Sequence, residues 1–351
     1  MAVDWMSFHI TDRCQLDCDH CLRDPEQKPK DLPVALVRRV LGEAKALYRA
    51  EHAAFSGGEP TLHPDFDGIV DAAIDNGFSW HMVTNGRRFA EVVDRLRARP
   101  ARLAGLTSVT FSLDGATEET HDGIRETGSY REVMKAASAA TAHAIPFVLQ
   151  MTIHARNERE IEAMGMLASQ LGATRLSFVM AQPTGTHHDR AMYLSARDWR
   201  LVMDRIARLQ NALTMPVSTP EGFYREQPFH VCAAFAQQQV HVDVEGRVNL
   251  CCMHSGIPSE KRDFTDVAGD LGEMPLAKAH VALIDVIHRT QSARAETIAA
   301  GGLSPWDHFP CNACMKSFGK PHWPEDGTDG PPAARERWRG AWSKSSLPIV
   351  R

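Results

Sequence analysis

Eight cysteines dominate the chemistry that this 351-residue sequence could support. They are Cys14, Cys18, Cys21, Cys232, Cys251, Cys252, Cys311 and Cys314. An even number of cysteines would also suit a disulfide framework, but such frameworks are typical of small secreted proteins. This chain is long, has no secretory signal at its start, and gathers its first three cysteines into eight residues. We therefore expect reduced thiols that bind a metal.

The first three cysteines offer thiols at the spacing C-x3-C-x2-C, in the loop that follows a predicted first strand. Thiolates suit zinc or an iron–sulfur cluster. Three protein ligands would leave one iron of a four-iron cluster with an open coordination position, which a cluster with its own chemistry needs. Zinc would require a fourth ligand, and His20 would have to fold back awkwardly beside Cys21 to supply it.

The elements that position this loop alternate between strand and helix. Apolar patterns predict strands at residues 3–10, 52–56, 79–84, 108–113, 146–153 and 175–180, and helices from a cap at Asp31 to Tyr48 and at 65–76, 89–98, 130–143, 158–171 and 195–213. Such alternation implies a parallel sheet with helices outside it. Six units fall short of the eight that close a full barrel. The predicted fold is therefore α/β, with an open, partial (β/α)6 TIM-like barrel over residues 1–215.

The cysteine loop and a glycine motif together resemble the radical S-adenosylmethionine enzymes. C-x3-C-x2-C follows the first strand, and Gly57-Gly58-Glu59-Pro60 follows the second. The resemblance implies that the three cysteines hold a [4Fe–4S] cluster whose fourth iron is chelated by S-adenosylmethionine. His20 stands where the family usually has an aromatic residue.

The same resemblance predicts the residues that contact S-adenosylmethionine. They are Gly57, Gly58, Glu59, Thr84, Asn85, Ser112, Arg125 and Gln150. The two glycines would let the backbone approach the methionyl amine, and the Glu59 carboxylate would bind that amine. The alternative for Ser112 and Gln150 is an ordinary polar position in a strand, and Asp114 is interpreted as a turn former.

The remaining cysteines resemble the shortened auxiliary-cluster domain called twitch, a relative of the SPASM domain. Cys232 is followed after thirteen residues by Gly246 and after four more by Cys251, and Cys311-x2-Cys314 comes later. The resemblance implies that these four cysteines hold one further [4Fe–4S] cluster, with zinc as the alternative. We expect residues 216–319 to form this domain around a hairpin of 239–244 and 247–252, and residues 320–351 to form a tail on its surface.

Cys252 is the one cysteine without an assigned ligand role. Adjacent residues of a strand point to opposite faces, so only one of Cys251 and Cys252 is expected to face the cluster. The Gly-x4-Cys spacing selects Cys251. Cys252 is then a small buried residue or a catalytic thiol facing the active site.

The resemblance implies that the first cluster cleaves S-adenosylmethionine to a 5′-deoxyadenosyl radical, which abstracts a substrate hydrogen. A fully ligated second cluster suits electron acceptance, which favours a net oxidation. Pro183-Thr-Gly185 matches a segment common in peptide-modifying relatives and favours modification or cross-linking of a ribosomally made peptide. Because the first strand begins early in the sequence, we expect no N-terminal peptide-binding domain before it. That expectation weakens the case for a peptide substrate. Flavodoxin or ferredoxin is the expected electron donor.

Three alternatives stay open. The first is a dehydrogenase of a small polar metabolite such as a cyclic alcohol. The second is an epimerase in which Cys252 donates a hydrogen atom, and the third is a non-catalytic electron-transfer protein. His81, Gln182 and Tyr224 are candidates for lining the substrate cavity, with a structural role as the alternative for each.

Composition excludes several other classes. Hydrophobic residues make up 43% and charged residues 24%, so the chain as a whole is neither disordered nor fibrous. No run of about 18 apolar residues is present, so we expect no membrane span and a cytoplasmic protein. The net charge of −5 gives no electrostatic reason to bind nucleic acid.

Overall fold

A computed structural model describes residues 3–23, 28–183, 192–257, 259 and 265–321. Its strands are β1 (Trp5–Thr11), β2 (His52–Gly57), β3 (Ser79–Thr84), β4 (Leu106–Ser112), β5 (Phe147–Ile153), β6 (Arg175–Met180), β7 (Val217–Ser218), β8 (Gln239–Val242), β9 (Arg247–Asn249) and β10 (Val267–Asp270). Its α-helices are α1 (Val34–Tyr48), α2 (Phe66–Asp75), α3 (Phe89–Arg97), α4 (Pro100–Gly105), α5 (Glu118–Arg125), α6 (Ser129–Ala142), α7 (Ile161–Gln170), α8 (Ala196–Ala212), α9 (Leu276–Ala300) and α10 (Pro310–Ser317).

All ten strands belong to one sheet, in the order β10-β9-β8-β1-β2-β3-β4-β5-β6-β7. The strands from β1 to β7 pair in parallel, which confirms the predicted parallel sheet. The predicted hairpin is present, and β8 pairs in parallel with β1. The hairpin therefore extends the sheet of the partial barrel. The domain boundaries at 215 and 319 stay predictions.

The sheet has an apolar face and a polar face. In β1, Phe8 and Ile10 are completely buried, whereas Ser7 and His9 beside them are half-buried. The same alternation runs through β2, β3, β5 and β6. Parallel sheets usually bury both faces. Here the apolar face joins the helices in one hydrophobic core, and the polar face lines the concave interior of the partial barrel.

Local chemistry explains where the prediction of elements was right and where it was wrong. β3 and β6 have the predicted bounds. Asp31 does not cap α1, because Pro33 occupies that position and the Asp31 carboxylate accepts hydrogen bonds from Thr11 and Arg13 instead. The short helices α4 and α5 and the strands β7 and β10 were not predicted.

Among the described residues, no helix combines the length and the apolar character needed to cross a bilayer. Residues 184 and 185 of the predicted peptide-modifier segment lie outside the described residues, as does the predicted tail beyond residue 321.

Candidate functional site

The glycine motif after β2 holds the first cysteine loop in place. The backbone N–H of Gly58 donates to the Thr11 carbonyl at 2.8 Å, and that of Glu59 donates to the Arg13 carbonyl at 2.7 Å. A Cβ atom on Gly57 would lie 2.3 Å from the Thr11 oxygen, and one on Gly58 would lie 2.4 Å from the Arg13 oxygen. Gly57 also has a φ of +148°, which side chains disfavour. Both positions therefore require glycine for close packing of the loop, and their contact with a cofactor amine stays a prediction.

Glu59 is completely buried and joins the ends of β2 and β3. Its Oε1 accepts from the Thr61 hydroxyl at 2.6 Å, and its Oε2 accepts from the Asn85 N–H at 2.8 Å. The Thr84 hydroxyl lies 2.9 Å from both oxygens. Burial raises the pKa of Glu59, and the hydrogen bonds from Thr61, Asn85 and Thr84 oppose that rise. The structure thus encloses this carboxylate among protein donors, and its contact with a cofactor amine stays a prediction.

Asn85 connects this buried carboxylate to the first cysteine. Its Nδ2 donates to the sulfur of Cys14 at 3.9 Å, and its Oδ1 accepts from Gln15 at 3.2 Å. Asn85 is itself buried. The chain Glu59–Asn85–Cys14 thus aims a fixed N–H group at a predicted cluster ligand, and such hydrogen bonds tune bound iron–sulfur clusters.

Arg125 likewise donates a hydrogen bond to the second cysteine of the loop. Its Nη1 donates to the sulfur of Cys18 at 3.9 Å, while its Nε forms a short hydrogen bond to the Asp114 carboxylate. His20 Nε2 lies 2.7 Å from the same carboxylate, and the other Asp114 oxygen accepts from the Thr152 N–H at 2.7 Å. The sequence interpretation of Asp114 as a turn former missed this role.

Charges around Asp114 and the cysteine loop shift the pKa values of one another. Burial would raise the pKa of Asp114, but the Arg125 guanidinium and His20 outweigh it and hold that pKa well below the usual range. Burial raises the pKa of Cys18 to about 12, although Arg125 opposes the rise. Thiolates at Cys21 and Cys14 would raise it further, because the three thiols lie within electrostatic reach of one another. Binding of a cation to these sulfurs would therefore release protons.

Ser112 and Gln150 come together on the polar face of the sheet. Ser112, the last residue of β4, is the register partner of Gln150 in the middle of β5. Ser112 is buried and Gln150 half-buried. Their contact with a cofactor stays a prediction.

The four auxiliary cysteines lie within electrostatic reach of one another. Burial raises the pKa of Cys232, Cys311 and Cys314, and charge on the neighbouring sulfurs would raise it further in each case. Cys311 and Cys314 lie on α10. Gly222 packs directly against them, since a Cβ there would lie 2.6 Å from the Cys311 sulfur.

The prediction that a strand carries Cys251 and Cys252 was wrong. β9 ends at Asn249, so the two cysteines lie in the following turn instead of a strand. Their side chains hydrogen bond to each other, which raises the pKa of Cys251 and lowers that of Cys252. Cys252 is exposed and also lies within electrostatic reach of Cys311.

No three His, Cys, Asp or Glu side chains of the described segments converge closely enough to form a site for a metal ion. The three N-terminal cysteines and the auxiliary cysteines are instead arranged as two groups of neighbouring thiols.

Comparison with known proteins identifies relatives of the N-terminal part. Residues 8–168 match the family model described as the radical SAM superfamily. The mycofactocin maturase MftC of Mycobacterium tuberculosis is 32% identical over 187 residues, which cover 52% of this chain and 46% of that protein. The PqqA peptide cyclase of a Methylobacterium species is 30% identical over 260 residues, covering 71% of this chain and 66% of the cyclase. The chain thus spans between about half and two thirds of these relatives.

Two solved structures share the fold. Streptococcus suis SuiB bound to S-adenosylmethionine has a TM-score of 0.66 at 13% identity, over 94% of this chain and 78% of SuiB. The structure of anSMEcpe with bound AdoMet has a TM-score of 0.64 at 15% identity, over 89% of this chain and 90% of that one. These findings confirm the predicted partial-barrel fold, and the sequence relatives confirm the family and the twitch/SPASM-type subgroup.

Proposed function

Because the chain belongs to the radical S-adenosylmethionine superfamily, we propose that Cys14, Cys18 and Cys21 hold a [4Fe–4S] cluster that works with S-adenosylmethionine. One observation supports this most directly. N–H groups from two distant parts of the chain are aimed at the sulfurs of this loop, from Asn85 to Cys14 and from Arg125 to Cys18. Donors of this kind stabilise sulfur that carries negative charge, as it does in a cluster.

When bound, the reduced cluster and S-adenosylmethionine supply a 5′-deoxyadenosyl radical that removes a hydrogen atom from the substrate. The chain's own residues position the reactants. Gly57 and Gly58 fix the cysteine loop, and Glu59 orients Asn85. Ser112 and Gln150, on the concave face, would contact polar groups of the cofactor. The half-open barrel would shield the reacting atoms from water.

We further propose that Cys232, Cys251, Cys311 and Cys314 hold a second [4Fe–4S] cluster. Their thiols are partly buried and lie within electrostatic reach of one another, so repulsion between their charges calls for a compensating cation. Four cysteine ligands suit an electron acceptor. The net reaction is then an oxidation, in which the substrate loses one hydrogen atom to the radical and later one electron and one proton.

A peptide is the substrate class that the relatives favour. One curated relative is called a PqqA peptide cyclase, and SuiB has been solved bound to the precursor peptide SuiA. We therefore propose that this chain modifies or cross-links a ribosomally made peptide. A flavodoxin or ferredoxin would supply the electron for the first cluster.

The test is anaerobic reconstitution with iron, sulfide, S-adenosylmethionine and dithionite. Candidate peptides or fractionated cell extract are then added, and 5′-deoxyadenosine is quantified. The proposal expects one fraction to raise the deoxyadenosine yield and to contain a product lighter by two hydrogens. Clusters that accept and release electrons while deoxyadenosine never forms would identify an electron-transfer protein instead.

Epimerisation is the second candidate, because the exposed Cys252 thiol contacts Cys251 of the auxiliary group. In that reaction a thiol returns a hydrogen atom to the substrate radical. Turnover in deuterium oxide separates the two reactions. Epimerisation places solvent deuterium in a product of otherwise unchanged formula, whereas oxidation gives the product lighter by two hydrogens.

A further inference from the structure

A cavity of about 350 Å³ lies outside the cysteine sites. It is bounded by the first turns of α8, the loop after β7 and the turn before α10. Arg197, Arg200, Tyr224, Pro305 and His308 are among its lining residues. Its size is at the lower end of the range for ligand pockets, which suits one side chain or a small molecule.

Two stacked aromatic rings and one guanidinium group form one wall of this cavity. The Tyr224 and His308 rings stack with centroids 5.4 Å apart and planes 23° from parallel. The guanidinium carbon of Arg200 lies 5.2 Å from the centre of the Tyr224 ring. His308 Nδ1 lies 3.0 Å from the Arg225 carbonyl and donates to it, which fixes the ring and leaves Nε2 as its other polar atom.

The described residues that line the cavity include two arginines and no acidic residue. Within the described part of the chain, neither Arg197 nor Arg200 forms an ion pair. Two acidic residues next to the lining residues in sequence have other partners: Asp307 accepts from the backbone and hydroxyl of Ser304, and Asp198 accepts from the Ser195 hydroxyl. Arg197 and Arg200 lie three residues apart on one helix and so face the same way. Each guanidinium carries a planar fork of N–H donors that matches carboxylate geometry.

Topology places the cavity at the functional edge of the sheet. α8 follows β6, so its first turn lies at the carboxyl-end edge, where the loops after β1 and β2 carry the first cysteines and the glycine motif. His308 is three residues before Cys311 of the auxiliary group. A ligand anchored here would lie beside the opening of the barrel.

We propose that this cavity binds a carboxylate side chain, aspartate or glutamate, of the peptide substrate. Arg197 and Arg200 pair with the carboxylate, and the Tyr224–His308 wall packs against its methylene groups. This inference rests on the proposed function and adds a sequence requirement to it: an acidic residue outside the segment that is modified.

Binding of short probe peptides tests this assignment without turnover. The probes are Ac-Gly-Gly-Glu-Glu-Gly-Gly-NH2 and its Gln-Gln counterpart, titrated by calorimetry at low salt into the reconstituted full chain. The glutamate peptide is expected to bind at least about tenfold more tightly, consistent with a charge-assisted pair. The double variant Arg197→Gln/Arg200→Gln is expected to lose this preference. Arg208→Gln, an exposed position about three turns further along α8, serves as the matched control and keeps it.

Three results would overturn the proposal: equal affinity for the two peptides, an equal loss in Arg208→Gln, or a preference that survives in the double variant while its thermal unfolding is unchanged. Inorganic phosphate is the competing anion. If phosphate binds more tightly than the glutamate peptide with the same dependence on the arginines, the site serves a small phosphorylated ligand and the peptide assignment is wrong. Deoxyadenosine formation by the same wild-type preparation is measured separately, so failure of the proposed chemistry is distinguishable from failure of this site.

Discussion

The two groups of cysteines differ in what faces their sulfurs. In the first group, Asn85 donates to Cys14, and the buried Arg125 donates to Cys18. In the auxiliary group, the backbone N–H of Met253 donates to the Cys251 sulfur at 3.4 Å, and the main influences on Cys311 and Cys314 are burial and the other sulfurs. The first site thus has two buried side-chain donors aimed at its sulfurs, whereas the donor to Cys251 comes from the backbone.

This difference agrees with the two roles proposed. A cluster that must bind S-adenosylmethionine and transfer an electron to it needs a fixed geometry, which the polar contacts around the first loop provide. A cluster that accepts an electron needs four ligands, which the auxiliary cysteines would provide. A substitution in one site should therefore remove the role of that cluster and leave the role of the other cluster intact.

Removal of one ligand from each site should have the largest effect and separate the two roles. Cys18→Ala should abolish deoxyadenosine formation, because the first cluster loses one of three ligands. Cys311→Ala should lower the iron and sulfide content to about half but retain deoxyadenosine formation, while the oxidised product disappears. Chemical analysis of iron and sulfide and chromatography of the nucleoside check both. Loss of deoxyadenosine in both variants, with the first cluster intact by its spectrum, would contradict separate roles.

Breaking the buried ion pair of the first site should destabilise the chain by about 3–5 kcal/mol. Arg125→Met leaves the Asp114 carboxylate buried without its guanidinium partner. Asp114→Asn/Arg125→Met should recover part of that loss, since no uncompensated charge remains. Urea unfolding of the metal-free protein measures both. Arg88→Met, which breaks an exposed pair with Glu91, is the control and should cost less than about 1 kcal/mol.

Neutralising the buried carboxylate of the glycine motif should cost about 1–3 kcal/mol. Glu59→Gln keeps the size of the side chain but replaces one acceptor oxygen with an NH2 group. That group would face the Asn85 N–H or the Thr61 donors. Urea unfolding gives the cost, and a second effect is expected on iron content because Asn85 loses its orientation beside Cys14. A variant as stable and as rich in iron as the wild type would show that the hydrogen bonds of the Glu59 carboxylate are not needed for stability or for cluster binding.

Stability should fall on mild acidification because of buried histidines on both sides of the first site. Burial lowers the pKa of His121 to about 4 and those of His154 and His241 to about 3. Between those values and about 6.5 the unfolded chain binds more protons, so each histidine lowers stability by at most about 1.4 kcal/mol per pH unit as the pH falls. The depressed pKa of Asp114 acts with the same sign, but only below about pH 4.

Urea unfolding of the metal-free protein between pH 7.5 and 5 measures this slope. His241→Gln should make the slope shallower, because one neutral imidazole is removed. A stability that is constant from pH 7.5 to 5 would mean that these histidines are accessible to protons in the folded chain.

Cys252→Ala should have the smallest effect. If Cys251 is the auxiliary ligand, iron content, deoxyadenosine yield and oxidised product should all match the wild type. Loss of product with deoxyadenosine retained would favour the hydrogen-donor role of Cys252, and loss of half the iron would assign the ligand role to Cys252.

Local sequence signals predicted the strands and the cysteine spacing, because they depend on neighbouring residues. β3 ends at Thr84 as predicted, where Asn85-Gly86 begins a turn. Two errors came from the same source, the assumption that a local pattern continues. Asp31 was expected to cap a helix, and a strand was expected to run on to Cys252, although β9 ends at Asn249.

Contacts between distant parts of the chain could not be predicted in this way. Asp114 lies 94 positions from His20, and Arg125 lies 107 positions from Cys18. The short helix α5 that carries Arg125 is mostly polar and gives only a weak apolar pattern. The enclosure of Glu59 likewise depends on Thr84 and Asn85 of another strand–loop unit.

The most direct test of the account uses a variant that retains only the first cysteine group. Cys232→Ala/Cys311→Ala is reconstituted anaerobically, reduced with dithionite and mixed with S-adenosylmethionine, and its electron paramagnetic resonance spectrum is recorded before and after. The account predicts one [4Fe–4S] signal that changes shape on addition of S-adenosylmethionine, followed by formation of 5′-deoxyadenosine. A signal that S-adenosylmethionine leaves unchanged, or zinc in place of iron at these three cysteines, would contradict it.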